Sequence, residues 1–318
     1  WAPRIPVDDK TTHNRFRGTT QTVNFDHELK VYDDFATRFG LAYQKEQGSG
    51  DDRVKHSQNT KSIYLDQSLD FNDRFFNTIG LRYDKNSEFG SKTTYRFTSR
   101  YNVNDKFALK GSFGTGFTTP SIYQIFGDGQ FVNANFDLKA ETSKGYDLGV
   151  ELKPTNNAVI SLSLFETRYK NMINWSNALS NYNNLDRAKI KGFEAVATVE
   201  INDQLALSGS YTYLDAKEKK GNEVYEEMLR RPKHQVTANA TYQPLHNLTL
   251  NASAVYYGER KDDRYNSMTG KTDTIILDSF VVFDIAGSYK INNTFEVDAK
   301  IQNIFNKQYE FADGYRER

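Results

Sequence analysis

Short polar turns and longer polar connections alternate along this chain, and an amphipathic segment with strand periodicity separates each pair. The short turns are Tyr32-Asp33, Asn72-Asp73, Asn104-Asp105, Asn156-Asn157, Asn202-Asp203, His246-Asn247 and Asn292-Asn293. The longer connections are predicted near 46–58, 85–91, 117–142, 172–187, 216–231 and 259–274. A soluble sandwich has no reason to lengthen every second connection, whereas a barrel that crosses a membrane has one rim of tight turns and one of long loops. The pattern therefore favours a transmembrane β-barrel.

The segments between these connections predict about fourteen antiparallel strands and an all-β fold. Their predicted bounds are 16–25, 34–45, 59–71, 74–84, 91–103, 106–116, 142–154, 157–171, 187–201, 204–215, 232–243, 246–258, 276–291 and 294–306. Most are longer than an ordinary globular strand, and a tilted strand needs about 9–11 residues to cross a bilayer. The first segment is the weakest of them because its apolar and polar residues alternate poorly.

Alternation is clearest late in the chain, in the segment Thr294–Phe305. One face carries Phe295, Val297, Ala299 and Ile301, and the other carries Glu296, Asp298, Lys300 and Gln302. Three successive charges on one face would be costly in the apolar core of a sandwich. They suit a water-filled or plugged barrel lumen, and they would also suit the solvated face of a soluble antiparallel sheet.

The composition fits a membrane barrel and excludes several other classes. Lysine and arginine total 41 against 41 acidic residues, so the chain lacks the basic excess typical of a nucleic-acid binder. A mean hydropathy of −0.73 and the lack of a long apolar run exclude helical membrane spans. Aromatic residues make up 14% of the chain, which aromatic girdles would explain. The chain has no cysteine, so disulfides and thiol catalysis are excluded.

The direction of the chain predicts where its ends lie. If the short turns form the periplasmic rim, residues 1–14 and the tail 307–318 both lie on the extracellular side. An outer-membrane barrel begins and ends in the periplasm, so we expect this chain to be a piece of a larger barrel. Closure of fourteen strands remains an alternative, and it would require residues 15–25 to pair with the last strand.

Several stretches, taken in order, resemble the TonB-dependent outer-membrane transporter family. They are Gly80–Asp84 with Glu88–Arg96, Gly114–Gln124, Asn133–Phe136 with Leu138–Ser143, Lys189–Ala195 and Asn303–Tyr309. Within the family, Leu229–His234, Tyr256–Asp263 and the tail Asn303–Tyr315 resemble the vitamin B12 (cobalamin) transporters most. Siderophore receptors share these late segments.

The resemblance implies a 22-stranded barrel filled by an N-terminal plug. The chain 1–318 would then be a partial barrel domain that lacks the plug and a closing strand. It implies active uptake of a scarce metal chelate, with cobalamin as the leading substrate, powered by TonB and the ExbB–ExbD motor. It also implies a Gram-negative outer membrane with its bilayer and lipopolysaccharide, and use as a phage or colicin receptor.

Three alternatives to cobalamin uptake stay open. A siderophore or haem receptor would share the fold, although haem receptors usually carry a ligand histidine in a stretch that here, between Phe117 and Thr142, contains none. A passive porin would lack a plug. An adhesion barrel would show no energy-dependent uptake.

Loop aromatics are the expected contacts for a large ring ligand, because a flat ring buries apolar area against them. The candidates are Tyr123, Phe126, Phe131, Trp175 and Tyr182. Girdle or loop-packing roles explain them more simply. Arg230 and Arg231 could meet an anionic group, or they could form exposed ion pairs with the neighbouring Glu226 and Glu227.

Other motif positions are expected to shape the loops and the tail. These family-motif residues are Phe117, Pro120, Asn133, Asn135, Asn303, Phe305 and Tyr309. The acidic residues Asp262, Asp263 and Asp273 could bind calcium, although a solvated acidic loop explains them more simply. No other metal site or cofactor is expected, because the histidines are scattered. No G-x-S-x-G, H-E-x-x-H or phosphate-binding loop occurs, so we do not expect an enzyme.

Overall fold

The structure is a computed structural model, which describes residues 16–32, 34–49, 55–128, 131–176, 179–219 and 223–317. The predicted extracellular start, 1–14, lies outside the described residues, as does the Asp33 half of the first predicted turn. The described part of the chain is mostly β-strand, with one helix of five residues.

The strands follow one another along the chain with one short helix between the sixth and the seventh. They are β1 (Arg17–Tyr32), β2 (Phe35–Ser49), β3 (His56–Phe71), β4 (Phe75–Asn86), β5 (Gly90–Asn104), β6 (Phe107–Thr118), β7 (Glu141–Thr155), β8 (Ala158–Ser176), β9 (Asn181–Asn202), β10 (Leu205–Lys219), β11 (Glu226–Glu227), β12 (His234–Leu245), β13 (Leu248–Tyr257), β14 (Arg260–Asn266), β15 (Lys271–Leu277), β16 (Phe280–Lys290), β17 (Glu296–Ile301), β18 (Tyr309–Ala312) and β19 (Tyr315–Glu317). The helix α1 is Ile122–Phe126.

The main sheet is an antiparallel meander in chain order. It runs from β1 to β10 and continues through β12, β13, β16 and β17, while β11 adds to the edge of β10. The path therefore contains the fourteen strands that the sequence predicts. The pairs β14–β15 and β18–β19 form two small separate sheets. Within the described residues, β1 pairs only with β2 and β17 only with β16, so no closure of fourteen strands is seen.

The outer face of the sheet carries rows of exposed apolar side chains. Residues directly opposite one another in an antiparallel pair share a face. One such row joins Phe25, Leu41, Ile63 and Tyr83 across four strands, and each of these side chains is exposed. A soluble protein would bury such a surface, whereas lipid covers it in a membrane barrel. We refer to these rows together as the apolar band.

The opposite face is polar and laced with ion pairs. Arg38 Nη2 lies 2.8 Å from Asp26 Oδ1, and Arg82 Nε lies 2.9 Å from Asp84 Oδ1. Further along the sheet, Arg100 Nη2 lies 2.8 Å from Glu151 Oε1. These charged groups alternate with the residues of the apolar band, so the two faces match a lipid-facing wall and a polar lumen.

Two of the predicted long connections contain fewer residues than expected, because the strands on either side extend into them. The region 85–91 contains only residues 87–89 between β4 and β5, where the Asn86 side chain accepts the backbone N–H groups of Glu88 and Phe89. The region 172–187 shrinks to 177–180, because β8 and β9 continue as a long hairpin. Polar composition suggested loops in both places, but strands that continue above a membrane also carry polar side chains.

The predicted strand bounds were wrong near the two ends of the chain. The predicted strand 276–291 is two strands, because the chain turns at Asp278 and Ser279 and begins a different sheet pairing. Only Glu296–Ile301 of the predicted strand 294–306 form a strand, β17. Asn303 adopts φ 50°, which does not fit a β-strand, so the pairing with β16 ends before it. The first strand is longer than predicted, and its second half contributes the exposed Phe25 and Leu29 to the outer face.

Candidate functional site

The connection between β6 and β7 carries α1 and is anchored to the barrel wall. Ser121 caps α1 by accepting the Gln124 backbone N–H, and the Gln124 side chain accepts the Ser121 N–H in return, which forms a capping box. Pro120 is fully buried, and its carbonyl accepts a 2.8 Å hydrogen bond from Gln58 Nε2. Glu46 on β2 accepts the backbone N–H of Ile122 at 3.2 Å. The helix is therefore held against β2 and β3.

Gly127 ends α1 and turns the chain toward Phe131. It adopts φ 64°, and an added Cβ would overlap the carbonyl oxygen of Val132. Asp128 then stabilises the turn, because its Oδ1 accepts the backbone N–H groups of Phe131 and Val132 at 2.8 Å each. The Phe131 side chain is 65% exposed, so this turn presents an aromatic ring to the surroundings.

Four of the five predicted aromatic candidates lie in two sets of packed rings. The ring of Tyr123 contacts those of Phe16 and Tyr182, at centroid distances of 4.9 Å and 6.3 Å. Tyr182 in turn contacts Trp175 at 5.3 Å. Burial raises the pKa of the Tyr123 hydroxyl, with the Asp128 charge adding to the effect. These ring contacts thus pack the β6–β7 connection against the β8–β9 hairpin.

The second set centres on Phe126 and includes a residue that the sequence did not single out. Phe126 stacks on His56 and makes an edge contact with Phe136 at 5.4 Å. Phe136 is 71% exposed. Together with Phe131 and the 38% exposed Trp175, it gives this region three rings available to a ligand. The sequence places Phe136 in the motif stretch Asn133–Phe136 but does not mark it as a ligand contact, because its exposure depends on the fold of the connection.

Asn133 and Asn135 join the β6–β7 connection to the β8–β9 hairpin. Asn133 Nδ2 donates to the carbonyl of Leu179 at 2.9 Å, and Asn135 Nδ2 donates to that of Tyr182 at 2.7 Å. The asparagine side chains therefore link the two chain segments directly. Phe117 lies at the top of β6, opposite Thr142.

The motif residues near the tail shape the chain after β17. Asn303 accepts the Lys307 N–H through Oδ1 and donates to the Lys307 carbonyl through Nδ2, each at 2.9 Å. Phe305 is exposed and contacts Phe283 on the outer face, at 5.2 Å. Tyr309 stacks on Phe280 at 4.4 Å. These contacts are distant in sequence from the loop aromatics.

Arg230 lies in a different environment from the one suggested by its acidic neighbours. Its Nε donates to Asp262 Oδ1 at 2.8 Å, and the Asp262 side chain is completely buried. The other oxygen of Asp262 accepts the Asp313 backbone N–H at 2.7 Å. Arg230 thus links its loop, through Asp262, to β14 and to the tail.

Arg231 borders a cleft of about 260 Å³ that also reaches Arg260. Arg260 is only 4% exposed, and its guanidinium carbon lies 5.2 Å from the Phe280 ring centre. Its buried Nη2 has no hydrogen-bond partner among the described residues. The lining of the cleft also includes Lys233 and Lys261 and the acidic Glu227 and Glu259, so it holds four basic and two acidic side chains. The sequence singled out Arg231 but not Arg260.

Glu227 fastens the same connection to two lysines. It pairs with Lys233 and also with Lys261, whose Nζ lies 2.9 Å away. Hydrogen bonds from these two ammonium groups lower the pKa of Glu227 to about 2. One carboxylate thus connects β11, the segment before β12, and β14.

The described residues show no arrangement suited to a metal ion. No group of three or more histidine, cysteine or acidic side chains is placed to hold one. Asp262, one of the three predicted calcium ligands, is occupied by Arg230 and by backbone N–H groups, while Asp263 accepts the Thr274 hydroxyl at 3.2 Å. These loops offer a ligand two separate features, the exposed rings of Phe131, Phe136 and Trp175 and the cleft beside Arg231.

The fold and its two faces define a class, the outer-membrane β-barrel proteins. No helix in the described part of the chain is long and apolar enough to cross a membrane. The family model of the TonB-dependent receptor-like β-barrel matches residues 3–304, so the chain belongs to that family. The resemblance read from the sequence motifs is confirmed.

Curated relatives include an iron-regulated outer membrane protein and a vitamin B12 transporter. The iron-regulated outer membrane virulence protein of Vibrio cholerae is 26% identical over 285 residues, covering 82% of this chain and 43% of the relative. The vitamin B12 transporter BtuB of Photobacterium profundum is 25% identical, covering 97% of this chain and 50% of the relative. The chain thus spans about half the length of the curated relatives it matches.

Solved structures agree with the fold. The FrpB iron transporter from Neisseria meningitidis superposes with a TM-score of 0.76 at 16% identity, covering 95% of this chain and 54% of that one. The siderophore receptor PirA from Acinetobacter baumannii gives 0.75 at 19% identity, with 96% and 53% covered. At these identities, the likeness shows the shared barrel architecture.

Proposed function

We propose that the protein is a receptor that binds a metal chelate on the extracellular side of the outer membrane and admits it by TonB-dependent transport. The observation that carries the proposal is the family match over residues 3–304, together with three exposed rings beside the β6–β7 connection, those of Phe131, Phe136 and Trp175. Large, partly apolar chelates bury area against such rings. Energy would come from TonB with ExbB–ExbD.

Cobalamin is the first candidate cargo, because similarity to vitamin B12 transporters extends over 97% of the chain. A ferric siderophore is the second candidate, because a relative named as iron-regulated has comparable identity. The cleft beside Arg231 favours a cargo with at least one anionic group in either case.

Titration of the full-length purified protein with cyanocobalamin, ferric siderophores and haemin tests the proposal. We expect saturable binding of one chelate class, and Phe131→Ala combined with Trp175→Ala should weaken it about tenfold, since ring contacts contribute roughly 1 kcal/mol each beyond their buried area. Phe305→Ala is the control, because Phe305 is about as exposed as Phe131 but packs on Phe283 of the outer face.

Each outcome has a defined meaning. Binding of a ferric chelate alone would exclude cobalamin and keep the receptor proposal. Unchanged affinity in the double variant would remove the loop rings from the binding site. A protein that bound none of the chelates, and whose absence did not affect uptake, would contradict the proposed function.

A further inference from the structure

The lumen-facing side of the sheet has two chemically different halves. Residues directly opposite one another in an antiparallel pair share a face, so the register assigns alternate positions of β8, β9, β10, β12 and β13 to the lumen. We call the lumen-facing positions within 159–163, 194–198, 208–212, 235–239 and 253–257 the neutral wall. Ten of these fifteen side chains are serine, threonine, asparagine or glutamine, and Glu194 alone is charged. This half of the lumen therefore offers hydrogen bonds with almost no fixed charge.

The same face of β3 to β7, which we call the charged wall, carries long ionised side chains. They include Asp66, Arg82, Arg96, Arg100, Lys110 and Glu151. Glu151 pairs with Arg100 at 2.8 Å and also with Lys110, so these groups are held in fixed positions. A cargo that touched this wall would have to separate ion pairs or remove water from charged groups, and both are costly.

The side chains of the neutral wall suit a cargo that moves past them. Most are short, so they leave more of the lumen open than the arginines and lysines of the charged wall do. Each serine or threonine hydroxyl can donate or accept a hydrogen bond, and it can therefore pair with successive groups of a moving molecule. Passage through a pore requires many weak contacts, because a tightly held molecule does not leave.

The neutral wall begins directly below the two features that the extracellular loops offer to a ligand. Leu214 and Ala216 line the cleft beside Arg231, and they occupy the lumen-facing positions of β10 above Thr212. Trp175 lies near the top of β8, the strand at one edge of the neutral wall. A cargo released from either feature therefore meets the neutral wall first.

We propose that the cargo crosses the lumen along the neutral wall and makes no contact with the charged wall on the way. The inference rests on the proposed function, and it adds the route through the barrel and the chemistry of the contacts along that route. It favours a cargo that presents uncharged hydrogen-bonding groups, such as amides or hydroxyls, to the serine and threonine side chains. The fifteen positions of the neutral wall are then specificity-determining residues for transport, separate from the loop residues that first bind the cargo.

The test places the same substitution on each wall of the full-length protein. Ser210→Arg adds length and charge to the neutral wall. Ser112→Arg is the matched control on the charged wall, because each serine is half-buried and is the sixth residue of a strand that follows a short turn. Ser112 already donates to Asp147 Oδ2 at 2.7 Å, so an arginine there has an acidic partner.

Uptake by cells and binding by the purified protein are measured with radiolabelled cyanocobalamin and a radiolabelled ferric siderophore. We expect Ser210→Arg to slow uptake about tenfold or more while affinity at the loops stays within about twofold, because lumen substitutions change passage rather than capture. Ser112→Arg should transport at the parent rate. Equal uptake by the two variants, or a larger loss in Ser112→Arg, would overturn the proposal.

A reversible block in one protein guards against misfolding. The 318 residues contain no cysteine, so Ser210→Cys introduces a single thiol into this chain. Benzyl methanethiosulfonate converts that thiol to a bulky mixed disulfide, and a reductant removes it again. Uptake should fall on modification and return on reduction. Unchanged uptake after modification, or a thiol that the reagent cannot reach although it is smaller than the cargo, would contradict the route.

The parent protein separates this inference from the proposed function. A parent that neither binds nor takes up any chelate would contradict the proposed function, and the route with it. A parent that transports a chelate while substitutions on the two walls have equal effects would keep the proposed function and exclude the route.

Discussion

At the scale of single residues, Gly127 decides whether the β6–β7 connection can present Phe131. Its φ of 64° lies in the left-handed region, where a side chain is strained, and an added Cβ would also overlap the Val132 carbonyl. The neighbouring Asp128 can accept the Phe131 and Val132 N–H groups only if this turn forms. One position thus controls the display of a candidate ligand contact.

Gly127→Ala should therefore disorder the connection more than its backbone angle alone predicts. Gly270→Ala is the matched control, because Gly270 has φ 65° with nothing within 4 Å of an added Cβ. Gly270→Ala should lower the free energy of local unfolding by about 1 kcal/mol, and Gly127→Ala should lower it by clearly more. Hydrogen exchange of residues 119–140 and 266–271 provides the measurement. Equal loss of protection in the two variants would show that the clash with Val132 does not matter.

Arg230 and Arg231 are adjacent in sequence, but their side chains lie in different environments. Arg230 is fixed on the buried Asp262, whereas the Arg231 guanidinium borders the open cleft. Their sequence neighbours Glu226 and Glu227 suggested a local ion pair, but Glu227 pairs with Lys233 and Lys261 instead. Residues brought from β14 and the tail make this choice, and no local pattern reveals them.

At the scale of elements, Glu227 fastens the β10–β12 connection, and its titration predicts a pH dependence. The two lysines lower its pKa from 4.5 to about 2. A depressed carboxylate pKa means that the stabilisation is complete above the unfolded-state value and is lost as the pH falls through the folded-state value. The connection should therefore stay ordered at about pH 5 and loosen as the pH approaches about 2.

Glu227→Gln should remove this dependence. At pH 6, hydrogen exchange across residues 223–233 should be faster in the variant than in the parent, and the difference should disappear near pH 2 as the parent carboxylate becomes protonated. Glu226→Gln is the control, because Glu226 is exposed and lies beside the same pairing. If Glu227→Gln showed the same hydrogen exchange as the parent at pH 6, Glu227 would not stabilise this connection.

At the scale of the whole molecule, the two faces of the sheet predict opposite tolerance to charge. Phe97 lies on the outer face between Ile79 and Phe113, while the adjacent Thr98 faces the polar side, opposite Ser112. Phe97→Arg should cost about 2–4 kcal/mol in a bilayer, because the guanidinium would face hydrocarbon. Thr98→Arg should cost much less, since it enters a polar lumen.

Refolding of both variants into lipid vesicles, followed by the heat-dependent shift in gel mobility, measures the effect. The folded fraction should fall for Phe97→Arg and stay near the parent value for Thr98→Arg. Equal folding of the two variants would contradict the assignment of the faces. The experiment tests the barrel itself and is independent of any cargo.

The sequence by itself determined the class of fold, because turn spacing and two-residue alternation are local properties. The strand Leu205–Lys219 and its neighbours follow from them, and so do the fourteen strands of the main sheet. The alternation also assigned the polar and apolar faces of the strands. Family motifs at Gly114–Gln124 and Asn303–Tyr309 then identified the family that the comparison confirms.

Only the tertiary structure decided where strands end above the membrane and which polar residues meet. The outer part of the β8–β9 hairpin lies above the lipid, so both of its faces carry polar side chains. Its sequence therefore resembles that of a loop, although the strands continue. The cations on the outer face of β7 to β10, such as Lys144, Arg168, Lys189 and Lys217, do not stand out in a chain with balanced charge, because they come from four strands and become neighbours only through register. Long-range pairing, which no local pattern encodes, creates both features.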